Sequence, residues 1–442
     1  MRGSQPTQER CVAIGAEIPG IGPAFWTDVR NSKVPSRRGP AIEHTAPQSW
    51  TRRYYPSFDG LRAIAVLAVF YCHYGQMAVP ALRPWISWTG VDLFFVLSGY
   101  LITGILYDSR ESPRYFRDFY VRRALRIFPL YFGFFAAMIL LTAVLRLSWG
   151  RLVWTNLVYL MNWMPGVIGN QAGSPSVISV AVLGRTHDVT FSHFWSLCVE
   201  EQFYLVWPLT VWLLGSRRAL LRVFAGGVVA TLLLRTWLYF HCLRAQVETD
   251  FLYYSTYARC DALMVGAWLA VWLRGAKLTR ARLRGVAWSA MGAGAGLLAV
   301  LLAVWKGAAH PLAPEDPVMQ TVGFTLVDVA AGGLLLLALD ERSRVQRVLR
   351  HRWLGRLGRI SYGFYFFHYL PYLMMANLAG NYLLPHHVRW MIAPIAFGFA
   401  WGAAELSFRY WESPFLRLKD RAAPSHKSIP TGEEDLPRLR AA

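Results

Sequence analysis

Apolar residues in this chain come in long runs, without the strict alternation of barrel strands. The runs fall at about 58–79, 90–107, 127–147, 194–214, 223–241, 256–273, 286–305, 318–339, 360–380 and 389–411. Each holds roughly 20 residues, enough as a helix to cross about 30 Å of hydrocarbon. A backbone in lipid must satisfy its own hydrogen bonds, so runs of this kind predict helices rather than a closed barrel. The pattern therefore predicts an all-α fold, a polytopic membrane helix bundle of about ten transmembrane helices.

The polar stretches between the runs set the orientation. Arg52 and Arg53 precede the first run, and Arg110, Arg114, Arg117, Arg122, Arg123 and Arg126 follow the second. Arg217, Arg218 and Arg222 follow the fourth, and Arg274, Lys277, Arg280, Arg282 and Arg284 the sixth. Seven arginines from Arg342 to Arg359 follow the eighth, and Arg417, Lys419 and Arg421 the tenth. Every second loop is strongly basic, and the positive-inside rule then places both termini of a multi-pass membrane protein in the cytoplasm. Residues 151–163 (RLVWTNLVYLMNW) are apolar but short. A crossing there would invert every later loop, so the expectation is an interfacial or re-entrant piece, followed by an outer loop at 164–193. Three parts result: a flexible basic cytoplasmic tail at 1–55 with no signal peptide, a membrane domain at 56–416, and a polar cytoplasmic tail at 417–442.

Composition changes this picture little. The net charge of +20 would point to nucleic acid in a soluble protein. Here the loops account for it, and no basic–aromatic groove suggests a nucleic-acid partner. The five cysteines are scattered without CxxC or metal-ligand spacing, so no metal is expected.

Charged residues inside the runs carry the chemical information, because hydrocarbon makes them costly. In FDGLRAIAVLAVFYCHYG, Arg62 and His73 lie eleven residues apart, nearly three turns, so they share a face about 16 Å apart along the axis. Asp59, three residues before Arg62, can pair with it. In FWSLCVEEQFYLVWP, Glu200 and Glu201 lie at about the depth of His73, where one of them can serve a histidine general base. Either glutamate could instead pair with Arg235 or Arg259. Asp92 and Asp261 are read as an acidic outer vestibule or as solvated helix ends. In FYVRRALRIFPLYF, Arg123 and Arg126 lie on one face at a spacing suited to phosphate or to anchoring the helix end. Ser361, Tyr365, His368 and Tyr372 form a polar-aromatic stripe, and Glu405, Arg409 and Glu412 a charge-neutralised helix end.

Together these stretches, with GVDLFFVLSGYLIT, RCDALMVGAWLA, SYGFYFFH and RYWESPF, resemble the acyltransferase 3 family of integral membrane acyltransferases, in family order from Phe58 to Leu416. The resemblance implies O-acylation of a carbohydrate hydroxyl, with cytoplasmic acetyl-CoA or another acyl-CoA as donor and no metal. The family's Arg-x10-His motif falls on Arg62 and His73, its RxxR motif on Arg123 and Arg126, and its SLxxEE glutamates on Glu200 and Glu201. On that basis His73, Glu200 and Glu201 are the expected catalytic residues, and Arg62, Arg123 and Arg126 hold the donor. His73 acts either as general base or as acyl carrier. Two departures stand out. Cys198 replaces a small or hydroxylated residue, and no hydrolase-like outer domain, which some polysaccharide-modifying members carry, follows residue 416. The expected partners are the bilayer and a carbohydrate acceptor, a surface or exported polysaccharide. The alternatives are acylation of a macrolide or other small glycosylated metabolite, and a proton-coupled transporter or flippase.

Overall fold

The computed structural model describes residues 54–78, 87–150, 153–163, 177–182, 185–305, 312–371 and 391–423. The helices are α1 (Pro56–Ala78), α2 (Gly90–Ser109), α3 (Tyr115–Leu140), α4 (Trp195–Leu214), α5 (Arg217–Ala245), α6 (Thr256–Leu273) and α7 (Arg280–Val304). After them come α8 (Phe324–Leu339), α9 (Arg344–Leu349), α10 (Arg352–Arg359), α11 (Ser361–Phe367), α12 (Ile392–Leu406) and α13 (Ser413–Ala422). Single π-turns, Met319–Gly323 and Ser407–Glu412, lead into α8 and α13. Each apolar run thus carries a helix. Five described segments are long and apolar enough to cross a membrane: Ser87–Ser109, Tyr115–Leu140, Arg217–Ala245, Arg280–Val304 and Met319–Leu339.

Local chemistry sets where several helices begin. Ser216, Thr279 and Ser343 sit in extended conformation, and each side chain accepts the hydrogen bond of the amide three residues on. Those N-caps satisfy amides that a helix start leaves unpaired. The basic loops also gather at one end of the bundle. Arg110 donates to the Gly215 carbonyl at 2.6 Å, Arg217 to the Trp272 carbonyl at 2.9 Å, and Arg274 to Asp108 at 2.6 Å. Arg284 pairs with Asp340, and the Ser57 hydroxyl donates to the Ala338 carbonyl at 2.7 Å.

Three features depart from the sequence reading. A small antiparallel sheet interrupts the all-helical pattern: β1 (Ser148–Trp149), β2 (Val177–Val182) and β3 (Arg185–Thr190), in that order. Ser148 pairs with Ser179, and Val177 with Thr190. The β-branched run VISVAV favours strand over the loop expected there. Second, α3 begins at Tyr115, well before the apolar run at 127, so the arginine-rich stretch is helical. Third, α13 carries helix past residue 417, into the expected tail. Residues 153–163 form two 3-10 turns, Val153–Val158 and Met161–Trp163, too short to cross. Tyr131 holds them from α3 by donating to the Asn156 carbonyl at 2.8 Å, and Gln202 from α4 by donating to the Tyr159 carbonyl at 2.6 Å. The remainder of both tails, together with Tyr372, lies outside the described residues.

Asp92 and Asp261 do not line a vestibule; both are fully buried. Arg235 of α5 bonds Asp261 of α6 at 2.8 Å and Thr325 of α8 at 2.7 Å, and Thr325 donates to the same Asp261 oxygen at 2.6 Å. Arg259 of α6 pairs with Asp92 of α2 and lies 3.9 Å from the centre of the Phe324 ring. These pairs also give Arg235 and Arg259 partners other than the glutamates of α4.

A close helix crossing joins α2 and α6. A Cβ on Gly99 would lie 2.0 Å from the Leu263 carbonyl oxygen, and one on Gly266 would lie 2.0 Å from that of Val96. Two reciprocal glycines therefore let the backbones touch, as small residues do in membrane helix pairs. Gly266→Val should cost about 1–3 kcal/mol of stability by overpacking, read as a lower melting temperature in detergent. Gly226→Val on α5, where nothing lies within 4 Å, should leave it unchanged. Equal melting temperatures for the two variants would contradict this packing.

Candidate active site

At the start of α1, Arg62 bonds Asp59 at 2.7 Å, the expected i,i+3 pair. Tyr54 donates to the other Asp59 oxygen at 2.5 Å. Partial burial and that bond push the Tyr54 phenol up to about 12, so it remains a donor at neutral pH. Arg62 faces a cavity of ≈ 270 Å³ between α1, α2, α3, α4 and α11. Arg123 and Arg126 of α3 and Glu200 and Glu201 of α4 line the same cavity. Both glutamates reach it, although neighbours on a helix diverge by about 100°.

The cavity's arginines are incompletely paired. Arg123 packs its guanidinium against the Tyr204 ring, 5.7 Å from the ring centre, and its buried Nε has no hydrogen-bond partner. Among the described residues Arg126 makes no hydrogen bond or ion pair. Tyr204 donates to Glu200 at 3.2 Å and shares a 2.5 Å bond with Ser98. A guanidinium with an unused donor beside a cavity is the chemistry that an anionic group such as a phosphate would complete.

His73 belongs to a different cluster and is not among the residues lining the cavity. Its Nδ1 lies 2.9 Å from the Val69 carbonyl and 3.3 Å from Nε2 of His368. The ring of Tyr369 meets that of His73 edge-on at 5.0 Å. His193, just before α4, is buried between His368 and Tyr369, with ring centres 5.5 and 4.5 Å away. Neither of its ring nitrogens forms a well-shaped hydrogen bond, although the Phe366 carbonyl lies close.

The sequence reading set Glu200 or Glu201 beside His73. The structure places both glutamates with the arginines, and the ring next to His73 is His368. Both glutamates stand around the cavity that Arg62 lines rather than beside His73, because depth counted separately along two helices does not say which residues face each other; α11 fills the place next to His73. His368 was legible as one member of a helical stripe. His193 stood unremarked beside the SLxxEE glutamates, because a residue before a helix has no periodicity to expose it.

Ser196 and Tyr365 form the wall shared by the two groups. Both line the cavity. Tyr365 donates to the His193 carbonyl at 2.6 Å and shares a 2.6 Å bond with Ser196. Among the described residues no cluster of His, Cys, Asp or Glu has metal-binding geometry.

Residues 55–405 match the model of the acyltransferase domain. The chain belongs to the acyltransferase 3 family. It is 29% identical over 380 residues to a putative peptidoglycan O-acetyltransferase, YrhL, of Bacillus subtilis, covering 82% of this chain and 55% of the relative. Identity to the peptidoglycan O-acetyltransferase OatA of Listeria monocytogenes is 29% over 423 residues, with coverage of 87% and 61%. The O-acetyltransferase OatA of Staphylococcus aureus is 25% identical over 377 residues, with coverage of 83% and 58%. The chain therefore spans 55% to 61% of the length of these relatives. No solved structure matches.

The wall itself is testable in this acyltransferase 3 protein. A double-mutant cycle of Tyr365→Phe and Ser196→Ala, read by thermal unfolding, should give a coupling energy of roughly 0.5–3 kcal/mol. A coupling of zero would mean that the two hydroxyls do not meet.

Proposed function

We propose that this chain is a membrane O-acetyltransferase that takes an acetyl group from cytoplasmic acetyl-CoA and places it on a hydroxyl of an exported or surface polysaccharide, peptidoglycan first among them. In this reading about ten helices cross the bacterial inner membrane, and the end that gathers the basic loops faces the cytoplasm. Family membership and the relatives' names support the reaction class. One observation carries the site assignment: Tyr365 and Ser196 line the arginine cavity, and Tyr365 also bonds the His193 carbonyl and stands in ring contact with His368, the neighbour of His73.

Arg123 and Arg126, with Arg62, would hold the donor's phosphates, since a planar guanidinium binds them through paired donors. Asp59 takes part of the charge of Arg62, so Arg123 and Arg126 bear most of that role. Glu200 and Glu201 line the same cavity and face whatever enters it. His73 then acts in one of two ways. As general base, it takes the proton of the acceptor hydroxyl on Nε2 while that oxygen attacks the thioester carbonyl. The carbon–sulfur bond breaks, and the thiolate takes the proton from His73. As acyl carrier, Nε2 attacks the thioester and the thiolate leaves; in a second step the acceptor oxygen attacks the acetyl carbon, the bond to Nε2 breaks, and the hydroxyl proton passes to the freed Nε2 and from there to water. The second route passes the acetyl group across the wall without bringing the acceptor into the arginine cavity.

Purified protein given labelled acetyl-CoA and peptidoglycan or other glycan acceptors tests the reading. His73→Ala should lower acetyl transfer by about 10²–10⁴-fold with little change in KM for acetyl-CoA. Arg123→Gln should instead raise that KM. Equal transfer by wild type and His73→Ala to every acceptor removes His73 from the mechanism.

A further inference from the structure

The carbonyl contacts of the two facing histidines fix the direction of the bond between them. A backbone carbonyl only accepts, so a ring nitrogen bonded to one must carry its proton. Nδ1 of His73 lies 2.9 Å from the Val69 carbonyl, so this nitrogen is protonated and Nε2 keeps the lone pair. Nδ1 of His368 lies 2.6 Å from the Tyr365 carbonyl, so the same holds there. The lone pair of His368 Nε2, 3.3 Å away, is thus a second acceptor facing the same His73 Nδ1–H that bonds the Val69 carbonyl.

We propose that His368 is a positioning residue for His73, taking the place that a carboxylate holds in a Ser-His-Asp arrangement. This rests on His73 being the base or acyl carrier. When Nε2 of His73 gains a proton or an acyl group, the ring becomes a cation and its Nδ1–H becomes a stronger donor. His368 Nε2 accepts from it, shares the charge and keeps the ring from turning. The proton taken from the acceptor stays on the His73 ring until the leaving sulfur removes it.

His368 is itself held firmly. It is fully buried, and its carbonyl accepts the Tyr74 hydroxyl bond at 2.6 Å, tying α11 to the helix that carries His73. Its ring lies parallel to that of Phe364, with centres 6.5 Å apart. Among the described residues, the titratable side chains in ring contact with the pair include His193, Tyr365 and Tyr369.

Replacements that differ in reach separate this role from packing. Glutamine places its side-chain oxygen near the position of Nε2, whereas asparagine places its amide near Nδ1 and falls short of His73. Wild type, His368→Gln, His368→Asn, His368→Leu and His73→Ala are compared in nanodiscs for kcat, KM for acetyl-CoA and melting temperature. The expected result is a kcat lowered on the order of 10- to 100-fold in His368→Leu and His368→Asn, the loss of one hydrogen bond to a charged group, with KM unchanged. His368→Gln should recover most of the activity. Where a variant melts early, the comparison of Gln with Asn at equal melting temperature decides. Inactive His73→Ala with fully active His368→Leu, or equal activity in the Gln and Asn variants, overturns the positioning role alone. Active His73→Ala overturns the catalytic reading on which it rests.

Discussion

Hydrocarbon does not solvate charge, and the arrangement of this bundle follows from how each internal charge escapes that cost. Arg235 with Asp261, and Arg259 with Asp92, escape it by pairing in full burial, with Thr325 and the Phe324 ring completing the shell. Such pairs seldom add net stability over apolar packing, but losing one partner leaves a bare charge at a cost of several kcal/mol. They therefore tie α2, α5, α6 and α8 into one arrangement, with the reciprocal glycines Gly99 and Gly266 setting how close α2 and α6 stand. Arg62, Arg123, Arg126, Glu200 and Glu201 escape in another way, by surrounding a cavity. In the proposed reading, charges locked into buried ion pairs between helices are structural, and charges set around a space are functional.

The second consequence is a division between two chemical environments. In the proposed reading, the arginine cavity takes a soluble, polyanionic donor and the histidine group a hydroxyl acceptor. Tyr365 and Ser196 belong to the boundary of both. A donor that enters from the basic end and an acceptor on the far side need not share one compartment, only a narrow passage for an acetyl group. The His73–His368 contact belongs to the acceptor side. It gives an imidazole an orienting partner without introducing a further buried charge.

Much of this was legible in the chain. The helical runs, the alternation of basic loops, the Asp59–Arg62 pair and the shared face of Arg123 and Arg126 follow from periodicity, which a helix imposes directly on sequence. The meeting of the RxxR arginines with Glu200 and Glu201 was not legible, because spacing reports depth and face along one helix and says nothing of which helix stands opposite. The same gap placed Asp92 and Asp261 in a vestibule and set a glutamate beside His73. The sheet was missed because VISVAV is a short run inside a Gly-, Ser- and Val-rich stretch that reads as loop. His193 precedes its helix, where no pattern marks it.

The central claim is that the arginine cavity is the donor site and that the acetyl group leaves it past Tyr365 and Ser196 toward His73. A cryo-electron microscopy structure with a non-hydrolysable acetyl-CoA analogue tests it most directly. The account predicts phosphate density against Arg123 and Arg126, with the acyl end at the Tyr365–Ser196 wall. Density for the analogue elsewhere, with the arginine cavity unchanged, would contradict it.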